Sequence, residues 1–243
     1  MNAVFFNTLL RRTVCYVLFI PCSLSVALPS VAETRATVLW YLEQEAGNEP
    51  WEVRYIITDH YLRSDQGDGS VDFVLLDRRE KQIYNVVEDS RTILNIDGRG
   101  ETGKRPEALD IEVKRSHDSD APTLEGQDST TLKLFADGEL CYSSVVVEGL
   151  MDDSRDAFEA FADVLAVQQQ RSKGNTPAEY ITPCFQARYL YKADFDVALG
   201  LPVITWGPKG EHRQLLRYER DVVIDDALFE LPKDYEQYQP LAP

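Results

Sequence analysis

Carboxylates, three histidines and a pair of adjacent serines are the groups in this chain that could do chemistry, and their spacing decides how much. Asp65, Asp68 and Asp72 straddle Gly67 and Gly69, which raises calcium. A calcium loop wants oxygen ligands at alternate positions and a distal bidentate Glu, and this run supplies neither. Asp-Gly runs between apolar segments are turn chemistry, because Gly admits positive φ and Asp bonds its own backbone. The cluster therefore reads as a tight hairpin with solvated carboxylates, and no metal site is expected. His60, His117 and His212 are the histidines of the chain. His60 stands beside Asp59 and Tyr61, and Ser143 or Ser144 could be imagined as its nucleophile. No Gly-x-Ser-x-Gly elbow, His-Glu-x-x-His helix or paired-histidine spacing accompanies them. With 41 Asp and Glu residues, no carboxylate pair stands out for hydrolysis. No catalytic residue and no cofactor is assigned, and the protein is expected not to be an enzyme.

The N-terminus carries the three parts of an export signal. Arg11 and Arg12 precede an apolar stretch from Val14 to Ile20, and Ser30, Val31 and Ala32 offer small residues at a cleavage site. An uncleaved anchor is the other reading, but the apolar run falls short of the ~20 residues a span needs and Pro21 interrupts it. Residues 1–32 are thus expected to be a cleaved signal peptide and 33–243 a single domain, periplasmic or secreted and not integral to the membrane. Cleavage takes two of the 25 Lys and Arg residues and none of the 41 acids, moving the formal net charge from −16 to −18. So negative a surface repels phosphate backbones, which excludes nucleic acid as a partner. Cleavage also removes Cys15 and Cys22 and leaves Cys141 and Cys184. In an oxidising compartment an even pair points to one disulfide, with two separate buried thiols as the alternative. A bridge of that span contributes about 3–4 kcal/mol on the chain-entropy argument.

Most of the remaining chain speaks in period two. Trp51, Val53, Tyr55 and Ile57 alternate with Glu52, Arg54 and Ile56, the mark of a strand with one buried face. The run Phe185, Ala187, Tyr189, Tyr191, Ala193 and Phe195 reads the same way. Further strands are expected near 35–45, 71–77, 82–87, 91–96, 108–114, 129–136, 139–148, 201–206 and 211–220. Hairpin signals separate several of them: Gly67-Asp68-Gly69, Ala136-Asp137-Gly138-Glu139 and Gly207-Pro208-Lys209-Gly210. Residues 97–107 and 115–128 read as loops within the domain. One segment breaks the rhythm: over 153–170 Ala157, Phe158, Phe161, Val164 and Leu165 form a helical stripe, with Asp153 or Ser154 as cap and Arg171, Lys173 and Gly174 at its end.

Three successions then resemble a known group. They are Asp59-His60-Tyr61-Leu62-Arg63-Ser64-Asp65, Phe73-Val74-Leu75-Leu76-Asp77 with Gln82-Ile83-Tyr84-Asn85-Val86-Val87, and the close Leu228-Phe229-Glu230-Leu231-Pro232-Lys233-Asp234-Tyr235. Together with Gly200-Leu201-Pro202-Val203 they are similar to bacterial envelope proteins of the DUF4412 and LolA/LolB-like group. The resemblance implies a mainly β (α+β) fold: a curved antiparallel sheet forming an incomplete barrel of about ten or eleven strands, with one main amphipathic helix as lid. It also implies an apolar inner cavity holding a lipid or a lipoprotein acyl chain. Candidate lining residues are Trp40, Tyr55, Phe73 and Trp206 from strands and Phe158, Phe161 and Leu165 from the helix; a filled core needs the same apolar faces. Arg63 matches the group's strand arginine and could hold a ligand headgroup, or pair with Asp65 or Asp72. The expected function is non-enzymatic carriage of a hydrophobic or amphiphilic ligand, with an envelope protein partner as the alternative. Oligomeric state has no signal in the sequence.

Overall fold

Twelve strands form one large curved open sheet in the computed structural model, which describes residues 33–67, 69–117 and 123–240. The proposed signal peptide, Asp68 and residues 118–122 and 241–243 lie outside them. The strands are β1 (Glu33–Gln44), β2 (Trp51–Ile57), β3 (Tyr61–Asp65), β4 (Phe73–Asp77), β5 (Gln82–Val87), β6 (Thr92–Asp97), β7 (Ile111–Ser116), β8 (Ser129–Ala136), β9 (Glu139–Val147), β10 (Leu201–Trp206), β11 (His212–Asp225) and β12 (Glu236–Tyr238). Their order across the sheet is β12-β6-β5-β4-β3-β2-β1-β11-β10-β9-β8-β7. Two meanders, β1–β6 and β7–β11, are joined by the long β1·β11 ladder, and only β12, beside β6, runs parallel to its neighbour.

The alternating faces of the strands meet different partners. Leu39, Tyr41, Ile57, Leu62, Leu76 and Ile83 point to an inner face and pack against helix α1 (Asp152–Ser172) through Ala157, Phe158 and Val164. Phe161 and Leu165 join that core partly buried. The opposite parity, with Ala36, Val38, Ile56, Phe73, Leu75 and Val86, makes an outer face covered by Phe229, Leu231 and Tyr235 of the C-terminal segment. Strands covered on both faces lose the simple in-out alternation, which is why β4 reads as an apolar run. No helix among the described residues is long and apolar enough to cross a membrane.

The helix starts one residue before the predicted segment and ends two after it, but its cap differs. Met151, at φ 50, is the N-cap and gives no side-chain bond. Asp153 and Ser154 are inside the first turn, where Asp152 and Asp153 favour the positive end of the helix dipole. At the far end Arg171 donates to the carbonyls of Asp97 and Arg99 and ties the helix to the β6 loop.

The predicted strand at 185–195 is not a strand. Helix α2 (Pro183–Gln186) continues into a π-helical turn over Ala187–Tyr191. The sequence holds two periods at once here. Alternation picks out Phe185, Ala187, Tyr189 and Tyr191, whereas Cys184, Ala187, Leu190 and Tyr191 carry helical spacing, and it is this second set that packs or is buried. Thr182 Oγ1 accepts the Phe185 N–H at 3.1 Å and Pro183 occupies the first turn, a start signal already present in the sequence. Losing this strand and gaining β3 and β12 takes the sheet from the expected ten or eleven strands to twelve.

Cys141 and Cys184 are bridged, with Cα atoms 5.1 Å apart and a sequence separation of 43. A bulge makes this reachable. The β8·β9 register passes from Phe135 opposite Leu140 to Leu134 opposite Tyr142, leaving Cys141 as the extra residue. Bulges re-aim side chains, and here Cys141 and Tyr142 both join the cluster under the π-helical turn. The bridge therefore staples α2 to β9 and joins a strand to a helix, where two strands would be expected from period two.

Candidate functional site

Around Phe158 the space between α1 and the sheet is filled, while a hollow of about 390 Å³ opens farther along, where Ala160, Asp163, Val164 and Val167 of α1 face Leu76, Lys81 and Gly98. Phe158 meets Tyr41 and Tyr55 edge-on, with ring centres 6.1 and 5.1 Å away, and Tyr41 meets Tyr55 at 5.7 Å. The Tyr41 hydroxyl donates to the Pro202 carbonyl at 2.8 Å, and burial pushes its pKa up to about 12. These contacts leave α1 as a core helix over most of its length.

Open space begins past Tyr55. There the ends of β1 and β2, the start of β9, the β10–β11 turn and α2 surround a trough of about 940 Å³. Trp51, Tyr55, Tyr142 and Phe185 supply its rings, and both bridged cysteines line it. A second hollow of about 470 Å³ at the β3–β4 hairpin shares Glu43 and Trp51 with it. The trough is therefore positioned by alternation, since Glu43, Trp51 and Tyr55 stand on the inner face of paired strands, and by the disulfide, which fixes its far wall.

Two arginines give the trough its chemistry. Arg213, facing Glu43 across the β1·β11 ladder, lays its guanidinium 3.9 Å from the Tyr41 ring, 4.7 Å from Phe158 and 5.0 Å from Tyr55. Glu43 stands 3.1 Å from its Nε and also accepts the Tyr55 hydroxyl at 2.7 Å. The Nε contact is off the N–H direction, so it is an ion pair without a hydrogen bond, and buried Nη2 meets no protein acceptor. Arg188, on the π-helical turn, lies 3.2 Å over the Tyr142 ring. No carboxylate among the described residues stands within ion-pair distance of it. Stacking on ring faces satisfies a guanidinium above and below while leaving its in-plane N–H groups free, which is the geometry for gripping a carboxylate, sulfate or phosphate. Asp196 is the nearby counter-charge: burial raises its pKa, and Arg188 and Arg213 pull the other way.

The predicted lining residues divide. Tyr55 is in the trough, while Phe158, Phe161 and Leu165 belong to the filled core. Trp206 pairs with His212 across the β10–β11 ladder and is not among the lining residues. Trp40 is on the outer face, under Arg217 at 4.2 Å. Phe73 borders the smaller hollow but gives its ring to Arg63 at 3.8 Å on the outer face. Arg63 itself is only 5% exposed. It bonds Asp65 at 2.7 Å and the Leu228 carbonyl at 2.6 Å, so it locks the C-terminal segment onto the sheet and faces away from any inner cavity. The sequence supplied no mark on Arg188, read as the polar side of a strand, nor on Arg213, one of several charges in β11.

The chemistry considered first also has its places. Asp65 takes Arg54 at 2.9 Å, Arg63 and the Gly67 N–H; burial would raise its pKa, and these bonds together hold it below the ordinary range. Asp72 accepts the Glu88 N–H at 2.8 Å. Both are structural carboxylates. His60 contacts Arg79 through a ring nitrogen at 2.6 Å, His212 lines the trough, and His117 is exposed. Ser143 and Ser144 are fully buried in β9.

No family model matches the chain, and none of the curated proteins matches it. Among solved structures the chain is similar to PNGF-II in its C2 crystal form, at 9% identity and a TM-score of 0.42 over 85% of this chain. The P21 form gives 7% identity and 0.40 over 85%. The chain spans about a third of the length of that protein, 31% and 32% in the two structures. Likenesses this weak bear on neither fold nor function.

Proposed function

We propose that this is an exported, non-enzymatic binding protein for an amphiphilic ligand, held in the trough beside α2 and not beneath α1. The observation that carries it is the pairing, in one cavity of about 940 Å³, of an aromatic floor with an arginine stacked on a ring and without an ion-pair partner among the described residues. Cavities of this size take lipid- or drug-sized molecules. The apolar body would lie on Trp51, Tyr142 and Phe185, and an anionic head would meet Arg188. The resemblance to LolA/LolB-like envelope proteins supports carriage of a lipidic molecule, and the disulfide supports an oxidising compartment such as the periplasm.

A titration tests this. Trp51 lines the cavity, so dodecyl sulfate and laurate below their micelle concentrations should change tryptophan fluorescence in a saturable way, and native mass spectrometry should show a one-to-one complex. Dodecanol or a dodecyl glycoside should bind about tenfold more weakly, the value of one charge-assisted bond. Absence of saturable binding by any of them overturns the proposal.

A further inference from the structure

An open sheet has two edges, and here they are unlike. One is β12, three residues long. The other is β7, six residues whose pairing among the described residues is with β8 alone. An edge strand presents a row of unpaired N–H and C=O groups, a template for another strand. Natural edges are often blocked by an inward or isolated lysine. In β7 that block is cancelled, because Lys114 stands 3.2 Å from Glu112 on the same face, both 56% exposed.

We infer that two copies of this chain pair through their β7 edges, antiparallel, about a two-fold axis at Val113. The axis must be perpendicular to the sheet, so each residue stays on its own face and partners differ by an even number of positions. That condition leaves few registers. Centring the axis on Glu112 opposes Glu112 to itself, and centring it on Lys114 or Arg115 opposes like cations. Centring it on Val113 places Glu112 opposite the second copy's Lys114 twice over, with Val113 against Val113 and Ile111 beside the aliphatic stem of Arg115. Ile111 and Val113 already share the inner-face cluster under α2, so the apolar layer continues across the seam. The weak exposed pair inside one strand becomes a ring of four alternating charges, and cross-strand opposite charges favour pairing where like charges oppose it.

Sedimentation velocity on the secreted full-length gene product, from micromolar to ~0.1 mM, tests this. The expected result is a reversible dimer. Lys114→Glu and Glu112→Lys each set like charges opposite one another and should weaken it at least about tenfold. The double variant Glu112→Lys with Lys114→Glu restores opposite pairs and should return the dimer to near its original affinity. Circular dichroism checks that each variant is folded, which surface charges at these positions leave intact. A wild-type chain that stays monomeric throughout overturns the inference. So does a dimer indifferent to the single reversals, or one that the double variant does not rescue.

Discussion

Two arginine sites on opposite faces of one sheet show what separates a fastening from a grip. On the outer face Arg63 has a carboxylate, a carbonyl and a ring, and almost no exposure. On the inner face Arg188 has a ring beneath it and no carboxylate within ion-pair distance among the described residues, while Arg213 keeps an Nη2 with no acceptor among them. Both kinds are stacked on aromatics, so stacking does not distinguish them. What differs is the in-plane hydrogen bonding. A guanidinium whose N–H groups are consumed by the fold can stabilise only the fold, because recruiting it for a ligand would first break buried bonds. One whose N–H groups face a cavity can bind at little cost to stability.

The sharpest test of that contrast removes the outer partner. Asp65→Ala leaves Arg63 and Arg54 without their shared carboxylate and should cost about 3–5 kcal/mol in urea unfolding, as loss of one member of a buried pair does. Asp65 titrates low in the fold, so its contribution is present above the ordinary carboxylate range. It is lost as pH falls through the lowered value, and the variant should lack that part of the acid limb. Opening the disulfide comes next. Cys141→Ser with Cys184→Ser should cost about 3 kcal/mol and weaken ligand binding as well, since the bridge holds the wall that carries Arg188.

Arg188→Gln should do the reverse of Asp65→Ala. Laurate affinity should fall about tenfold while the urea midpoint barely moves; a large stability loss with binding unchanged would erase the distinction between the two faces. Asp196→Asn gives the smallest effect. Burial raises the pKa of Asp196, so its protonated form suits the fold and stability contributed there fades as pH rises through that value. The amide should remove this pH dependence, which urea midpoints measured across the acid and neutral range would show.

Much of the fold was legible because the alternation in β2 and the stripe over 153–170 admit one reading each, and turn signals bound several of the other strands. The segment 185–195 was not, because its aromatics satisfy period two while its buried set follows the helix. Arg63 stood out through its place in a familiar succession, yet its neighbour in space, the carbonyl of Leu228, is 165 residues away. The trough was hidden for the same reason: its walls come from β1, β2, β9, β11 and α2, and nothing in any one of these segments announces the others.

By itself the sequence determined the place of most strands and of the long helix, the acidic balance and the pair of cysteines available to bridge. Those properties are local or additive, fixed by residue type and spacing. Tertiary structure alone decided that the cavity lies beside α2, that the predicted headgroup arginine is a fastening, that Arg188 borders the cavity, and that Arg213 keeps a buried N–H without a protein acceptor. Each depends on which atoms from distant segments reach a guanidinium first, and chain spacing carries no record of that.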